Sequence, residues 1–257
     1  MLGPGRANGV DAALLRDGSV TPAAIIFDMD GTLAATISLW RQAETHLLDL
    51  IGEKWSPELA RHYNGMNVRD VAATIHRLTK TSLPLELCQE TMRAELFRAF
   101  ESAPPEPMPG AVECVERLAG LAPLTLASGS PLPLIEFVVD RLKIRQHFAH
   151  LLSSESVQRG KPFPDVFLAS ASAINADARR CLVIEDSLVG VQAAKAAGMR
   201  SFVVPISQAK EIAAVADRTF VSLNDLQCKD VKEAFPDCDE REDDHSAPLS
   251  EGISLQS

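Results

Sequence analysis

The sequence lacks any apolar run of the roughly 18–20 residues that a membrane-spanning helix requires. Its first twenty residues contain no continuous apolar stretch of the kind found in a secretory signal. We therefore expect no membrane association and a cytoplasmic location. The chain also lacks an excess of basic residues. Its 257 residues carry a formal net charge of −10, which argues against nucleic acid as a partner.

Cysteine is scarce and poorly spaced for cross-linking or zinc binding. The chain has five cysteines, an odd number, and none of them forms a CxxC pair. Cys114 and Cys181 lie inside apolar segments, where a reduced thiol packs as a small hydrophobic group. We therefore expect neither a disulfide framework nor a zinc site.

The composition is otherwise that of a globular protein, 46% hydrophobic and 23% charged. The acidic excess is concentrated at one end, since residues 229–257 contain nine acidic and three basic residues. This segment has few apolar side chains to bury, so we predict an acidic, disordered tail over 229–257. Nothing in the sequence indicates an oligomeric state.

Several short apolar runs predict buried parallel strands, because both of their faces lack polar residues. They are AAIIF (23–27), LTLA (124–127), CLVI (181–184), SFVV (201–204) and TFV (219–221), with a weaker candidate around Leu151 and Leu152. Amphipathic helical patterns such as AVECVERLAGL and LVGVQAAKAAG separate these runs. The alternation over residues 105–225 predicts a doubly wound parallel α/β sheet.

Residues 36–105 follow a different pattern, with no convincing strand. They contain three helical segments, ISLWRQAETHLLDLIG, VRDVAATIHRL and LELCQETMRAELFRAF, and end near a stretch with four prolines, SAPPEPMPG. We predict an α/β core made of residues 20–35 and 106–226, interrupted by an all-helical cap of residues 36–105. An insertion at the carboxyl end of a strand lies over the crevice where such sheets bind ligands, so it would act as a lid.

Four polar clusters fall at or near the ends of predicted strands. They are Asp28-Met29-Asp30-Gly31-Thr32, Ser128-Gly129-Ser130, Lys161-Pro162 and Glu185-Asp186-Ser187. The carboxyl ends of parallel strands meet at one edge of a sheet, so these clusters should converge there. Carboxylates, an ammonium group and hydroxyls together suit phosphoryl transfer to a carboxylate in the presence of a divalent ion.

The same clusters carry a family resemblance. FDMDGT (27–32) resembles the first motif of the haloacid dehalogenase-like hydrolase superfamily. Ser128, Lys161 in KPFPD, and Glu185-Asp186 resemble its second, third and fourth motifs, in the same order. The resemblance covers about residues 22–225 and implies a Rossmann-like core with an inserted helical cap. It is nearest to the branch that contains β-phosphoglucomutase and sugar phosphatases such as hexitol and 2-deoxyglucose-6-phosphate phosphatases.

The resemblance implies a role for each matching residue. Asp28 would attack phosphorus and form an aspartyl-phosphate, and Asp30 would protonate the leaving oxygen and then activate water. Ser128 would donate a hydrogen bond to the transferring phosphate, while Lys161 would neutralise its charge. The Lys161–Pro162 bond would be cis.

The resemblance also implies a Mg²⁺ site and a phosphate-binding loop. The metal ligands would be the carboxylates of Asp28, Glu185 and Asp186 and the backbone carbonyl of Asp30. Further substrate contacts would come from three small residues of the first two clusters, Thr32, Gly129 and Ser130.

The cap is harder to interpret, and one segment departs from the family. Many relatives have two acidic residues where this chain has Ala35-Thr36-Ile37. We expect Trp40, Asn67 and Arg69 to contact substrate, the last two because NGMNVRD resembles a cap loop that faces the active site. For two histidines, His46 and His62, a position on the helix surface is favoured over substrate contact.

These inferences lead to one function and several alternatives. The expected activity is Mg²⁺-dependent hydrolysis of a small phosphorylated metabolite, a sugar or polyol phosphate, through an aspartyl-phosphate. The first alternative is a phosphomutase, but β-phosphoglucomutases carry a histidine where this chain has Trp40 and an arginine where it has Val68. A catalytically inactive binding module would need no nucleophile, and a dehalogenase would need no paired acids at Glu185-Asp186.

Overall fold

The computed structural model describes residues 21–236 and contains one six-stranded sheet in which all neighbouring strands are parallel. Its spatial order is β3-β2-β1-β4-β5-β6. The strands are β1 (Ala24–Phe27), β2 (Leu124–Ser128), β3 (Phe148–Ser153), β4 (Cys181–Glu185), β5 (Arg200–Val203) and β6 (Arg218–Thr219). The chain builds outward from β1 in both directions, which confirms the predicted doubly wound sheet.

Burial explains why some strands could be predicted from the sequence and others could not. All residues of β1, β2 and β4 are buried, which matches the mainly apolar runs that predicted these strands. The edge strand β3 is half-exposed along much of its length, and its apolar signal is correspondingly weak. At the opposite edge, β6 pairs through Arg218 and Thr219, whereas the prediction was 219–221. Val221, which the prediction included, is 93% exposed.

The segment between β1 and β2 is helical, as predicted. Its helices are α1 (Ile37–Leu50), α2 (Pro57–Ala60), α3 (Val68–Thr79) and α4 (Leu85–Ser102). Both α1 and α3 pack against α4 and bury their apolar faces there. The short α2 gave no periodic signal, but Ser56 caps it by accepting a hydrogen bond from the Leu59 N–H, and Pro57 occupies its first turn.

The helical insertion joins the sheet through two chain segments that run side by side. The Ala35 N–H donates to the Glu106 carbonyl (2.9 Å), and the Met108 N–H donates to the Leu33 carbonyl (2.9 Å). Ala34 forms an antiparallel bridge with Pro107 between these two bonds. We call this pair of segments, residues 33–35 and 106–108, the stem.

Six further α-helices of the described residues accompany the remaining strands. They are α5 (Ala111–Ala119), α6 (Leu132–Arg141), α7 (Asp165–Ser172), α8 (Leu188–Ala196), α9 (Ala209–Ala213) and α10 (Cys228–Ala234). The last of these corrects the predicted tail, because residues 229–236 are not disordered. Val231 and Phe235 are buried in the main hydrophobic core, and Arg218 pairs with Asp230 at 2.9 Å. These apolar side chains outweigh the local acidity; the rest of the predicted tail lies outside the described residues.

Two observations on residues 21–236 concern membrane spans and cysteines. No helix in this range is both long and apolar enough to cross a membrane. The four cysteines in the range, Cys88, Cys114, Cys181 and Cys228, are free thiols.

Candidate active site

Three carboxylates meet at the carboxyl ends of the two central strands β1 and β4. Phe27 pairs with Ile184, and the N–H of Asp28 donates to the Ile184 carbonyl (2.9 Å), so Asp28 lies beside Glu185. Asp186 follows directly. One oxygen from each of the three carboxylates lies within 4.8 Å of the others, and all three side chains are buried. We call Asp28, Glu185 and Asp186 the floor carboxylates.

A buried ammonium group links two of the floor carboxylates. Nζ of Lys161 lies 2.6 Å from Asp28 Oδ1 and 2.5 Å from Glu185 Oε1. Burial disfavours the charged lysine, but these two carboxylates outweigh it and raise the pKa of Lys161. The Lys161–Pro162 peptide is cis, which confirms that expectation.

The negative charge of Glu185 is offset by more partners than the charges of Asp28 and Asp186. Oε2 of Glu185 accepts hydrogen bonds from the backbone N–H groups of Asp186 and Ser187 and from the Ser187 hydroxyl, each at 2.9 Å. Burial alone would raise its pKa, but Lys161 and these donors outweigh it and lower the pKa of Glu185. Gly190 leaves room for this arrangement, because a Cβ there would overlap the Glu185 carboxylate.

The negative charges of the other two floor carboxylates, Asp28 and Asp186, are offset less completely. Burial raises the pKa of Asp28 to about 8, with Lys161 opposing the shift and Glu185 and Asp30 adding to it. Burial and the neighbouring carboxylates also raise the pKa of Asp186 well above its ordinary value. One ammonium therefore does not balance three carboxylates. Closely spaced oxygen donors with unbalanced negative charge suit a divalent cation, so the cluster could hold a metal ion.

Asp30 lies outside this cluster, and its carboxylate accepts four hydrogen bonds. Its Oδ1 accepts from the Thr36 hydroxyl (2.8 Å) and from the Trp40 indole N–H (3.0 Å). Its Oδ2 accepts from the hydroxyls of Ser128 (2.7 Å) and Ser130 (2.9 Å). Residues from the first loop, the cap and the end of β2 therefore fix the orientation of Asp30 together.

A cavity of about 440 Å³ separates this part of the core from the helical insertion. Its core side includes Asp28, Asp30, Gly129 and Asp186. Four larger cap residues, which we call the cap wall, line the opposite side: Trp40, Glu44, Trp55 and Tyr63. Two exposed arginines, Arg41 and Arg61, also border the cavity.

Sequence reasoning identified Trp40 in the cap wall but missed Glu44, Trp55 and Tyr63. Oε2 of Glu44 accepts hydrogen bonds from the Trp55 indole N–H (2.8 Å) and from the Tyr63 hydroxyl (3.5 Å). Burial raises the pKa of Glu44 to about 7, although these donors and the charge of Arg41 lower it. The available signal was spacing, because an acidic residue four positions after Trp40 lies on the buried face of α1.

Some expected substrate residues do not line this cavity. Asn67 caps α3, with its side-chain oxygen accepting from the Asp70 N–H at 2.9 Å. Arg69 donates to the Gln158 carbonyl (3.3 Å) and does not line the cavity. Thr32 is buried, and its hydroxyl has no hydrogen-bond partner among residues 21–236.

The two cap histidines also lie outside the cavity lining. His46 pairs with Glu95 at 3.4 Å, and His62 is exposed. The substrate contacts expected of Asn67, Arg69 and Thr32 therefore remain predictions, while Trp40 is the expected cap residue that reaches Asp30.

The chain is similar to known proteins in sequence and in fold. The model of the haloacid dehalogenase-like hydrolase family matches residues 22–198. Hexitol phosphatase B of Escherichia coli (strain K12) is 33% identical over 220 residues, covering 81% of this chain and 96% of the relative. Fructose-1-phosphate phosphatase YqaB of the same strain is 32% identical over 178 residues, covering 69% and 93%. The structure of β-phosphoglucomutase from Clostridium difficile shares the fold, with a TM-score of 0.73 at 20% identity over 82% of this chain and 96% of the other.

Proposed function

The chain belongs to the haloacid dehalogenase-like hydrolases and is a phosphatase of that family, and from this premise we propose that it hydrolyses a sugar or polyol phosphate through an aspartyl-phosphate. The observation that carries the proposal is the position of Asp28, buried against Lys161 at the base of a cavity closed by the cap wall. The names of the two Escherichia coli relatives support the substrate class. We further propose a cytoplasmic location.

In the first half-reaction, a carboxylate oxygen of Asp28 attacks phosphorus, and the bond from phosphorus to the leaving oxygen breaks. Lys161 holds Asp28 in place and offsets negative charge next to the phosphate. The Ser128 hydroxyl and the Gly129 backbone lie at the end of β2, next to Asp30, where they can contact the phosphate oxygens. The Ser128 hydroxyl must then exchange its hydrogen bond to Asp30 for one to the phosphate.

Asp30 donates a proton in the first half of the reaction and accepts one in the second half. In its protonated form it gives a proton to the leaving oxygen, which departs as an alcohol. It then takes a proton from the water that attacks the phosphorus of the aspartyl-phosphate, which releases inorganic phosphate and restores both carboxyl groups. Thr36, Trp40 and Ser130 orient the carboxyl group for these transfers.

We propose Mg²⁺ as the cation held by the floor carboxylates. Asp28 and Asp186 would bind it directly, Glu185 directly or through water, and the Asp30 carbonyl would complete the protein ligands. When bound, the ion would offset the charge of the carboxylates and the phosphate. The cap assignment of residues 36–105 and the phosphate contacts of Thr32 and Ser130 belong to the same proposal.

Two cap positions support hydrolysis over phosphomutase activity. Trp40 stands where the mutase pattern has a histidine, and its indole can donate a hydrogen bond but cannot shuttle a proton. Val68 stands where that pattern has an arginine, and it is buried within the cap. Arg69 is directed to the Gln158 carbonyl, so it does not replace that arginine in this conformation.

The test is phosphate release from sorbitol 6-phosphate, fructose 1-phosphate and p-nitrophenyl phosphate. We expect turnover with Mg²⁺, loss of turnover after chelation by EDTA, and recovery with Mg²⁺ but not with Ca²⁺, whose larger coordination shell disturbs in-line geometry. Full activity after exhaustive chelation would contradict the Mg²⁺ proposal.

A second assay separates hydrolysis from phosphoryl transfer between two positions of a sugar. The enzyme receives β-glucose 1-phosphate with catalytic glucose 1,6-bisphosphate and Mg²⁺. We expect inorganic phosphate to accumulate faster than glucose 6-phosphate. The reverse order would establish the phosphomutase alternative.

A further inference from the structure

The cap wall contains a carboxyl group that the proposed chemistry does not use. Glu44 lines the cavity but is not among the floor carboxylates. It lies four residues after Trp40 on the same face of α1, about 6 Å along the helix axis. Because the Trp40 indole N–H contacts Asp30, Glu44 lies about one helical turn beyond the group that meets the leaving oxygen.

Only one oxygen of Glu44 is occupied by protein donors. Oε2 accepts from Trp55 and Tyr63, whereas no donor within residues 21–236 forms a hydrogen bond to Oε1. The side chain is nearly buried, with 6% of the residue exposed, and it borders the cavity. Oε1 is not one of the fully buried, unpaired side-chain atoms of residues 21–236, so it is open to the cavity, where water or a ligand can supply its hydrogen bond.

The surroundings of Glu44 combine apolar surfaces with polar groups. The indole rings of Trp40 and Trp55 also line the cavity, and such rings present flat apolar faces with one polar edge. A polyol has a similar character, since its C–H groups can pack against indole while its hydroxyls need hydrogen-bond partners. Pockets that bind small molecules commonly combine aromatic walls with a few polar groups in this way.

We propose that Oε1 of Glu44 binds a hydroxyl group of the leaving group, so that this residue selects polyhydroxylated phosphate esters over esters without hydroxyls. This inference rests on the proposed phosphatase function and specifies its substrate class. The phosphate lies at Asp28, the leaving oxygen at Asp30, and the distal hydroxyls at Glu44. Oε2 remains with Trp55 and Tyr63, which hold the carboxyl group in position before substrate enters.

The charged groups near Glu44 do not occupy Oε1. The guanidinium of Arg41 lies over the Trp55 ring, 4.4 Å from its centre, and Arg61 is exposed at the border of the cavity. Since the pKa of Glu44 is raised to about 7, both the ionised and the protonated forms are present near neutral pH. A hydroxyl can donate to the first form and accept from the second.

The kinetic test compares sorbitol 6-phosphate with p-nitrophenyl phosphate, whose leaving group carries no further hydroxyl. The measured quantity is the ratio of the two kcat/KM values, which cancels changes that affect all substrates alike. We expect Glu44→Leu to lower this ratio at least about tenfold, mainly through a higher KM for sorbitol 6-phosphate. Glu44→Gln keeps an acceptor for Trp55 and should fold in the same way, with a smaller fall in the ratio.

The matched control is Glu58→Gln, a cap carboxylate on α2 that is exposed and does not line the cavity. It should leave the ratio within about twofold of the wild-type value. A parallel loss of both kcat/KM values in the Glu44 variants would indicate a purely structural role, and an unchanged ratio would show that no hydroxyl is bound there. Either result overturns the inference.

A binding measurement separates this inference from the proposed function. The chain has two tryptophans, Trp40 and Trp55, and both line the cavity, so intrinsic fluorescence reports on this site. In the Asp28→Asn background, Glu44→Leu should weaken binding of sorbitol 6-phosphate about tenfold, whereas Glu58→Gln should not. Wild-type enzyme that turns over no phosphate ester would reject the phosphatase proposal. Equal affinity of the two double variants would reject the role of Glu44.

Discussion

The floor carboxylates and the cap wall both place buried carboxyl groups on one cavity, but they compensate the charge differently. On the floor, the ammonium of Lys161 contacts Asp28 and Glu185 directly. On the cap wall, Glu44 has two neutral hydrogen-bond donors, Trp55 and Tyr63. Floor and wall therefore differ in the kind of partner that each is suited to bind.

The floor is suited to charge and the cap wall to neutral polar groups. Three carboxylates around one ammonium attract a cation and, through it, a phosphate. On the cap wall, the Glu44 carboxyl bonds the Trp55 indole and has one oxygen left for a hydrogen bond, beside aromatic side chains. We infer that the floor determines the reaction, whereas the cap wall determines which ester enters it.

The largest effect is expected from Asp28→Asn, which tests the claim that the floor acts on every substrate alike. The amide cannot serve as this nucleophile, so kcat should fall at least about 10³-fold for both sorbitol 6-phosphate and p-nitrophenyl phosphate. The melting temperature should change little, because Glu185 still pairs with Lys161. The control is Asp49→Asn on the exposed surface of α1. Activity of the Asp28 variant within tenfold of wild type would show that another group attacks phosphorus.

A truncation tests whether the stability of the core can be reduced without altering selection by the cap. Two chains are compared, one ending at residue 236 and one at residue 227, so that they differ by α10. The shorter chain loses the burial of Val231 and Phe235, and its free energy of unfolding should be lower by about 4 kcal/mol. Urea unfolding measures this difference. The kcat/KM ratio for the two substrates should be equal in the two chains, and a changed ratio would link α10 to selectivity.

The smallest expected effect is on the pH dependence of stability, and it tests how the cap wall accommodates the Glu44 carboxyl group. The pKa of Glu44 is raised from 4.5 to about 7, so the folded protein binds more protons than the unfolded chain between these values. Its contribution to stability is fully present below pH 4.5 and is lost as the pH rises towards 7, by about 3 kcal/mol in total. Glu44→Gln lacks this loss, so its stability relative to wild type should improve from pH 5 to pH 8.

Urea unfolding at several pH values measures that change. The groups around the carboxyl that enter the result are Trp55, Tyr63 and Arg41. Glu58→Gln, on the exposed cap surface, should give a constant difference from wild type across the same range. A flat profile for Glu44→Gln would mean that Glu44 keeps an ordinary pKa.

The sequence predicted the floor well because its geometry follows from backbone position. Asp28, Ser128 and Glu185 come at the ends of fully buried strands, and parallel pairing aligns these ends whatever the side chains are. The edge strand β6 was misplaced because both of its residues are exposed, which leaves no apolar run to mark it.

The cap wall was harder to predict because its contacts depend on tertiary packing. The partners of Glu44 lie 11 and 19 residues further along the chain, beyond any helical period. The structural role of Asn67 is a second example. Its polar side chain caps α3 through the Asp70 N–H, and an Asn three residues before an Asp near a helix start is a common capping pattern.

The stem has a consequence for how this architecture can diversify. The insertion leaves the core after Leu33 and re-enters it before Met108, and the backbone groups of these two residues are joined by a hydrogen bond. A segment whose ends already meet adds little closure entropy when its length or sequence changes, and β1 and β2 need not shift to accommodate it. The helical insertion is therefore exchangeable as a module: recombination at the stem can supply a new binding surface while the inherited reaction centre stays intact.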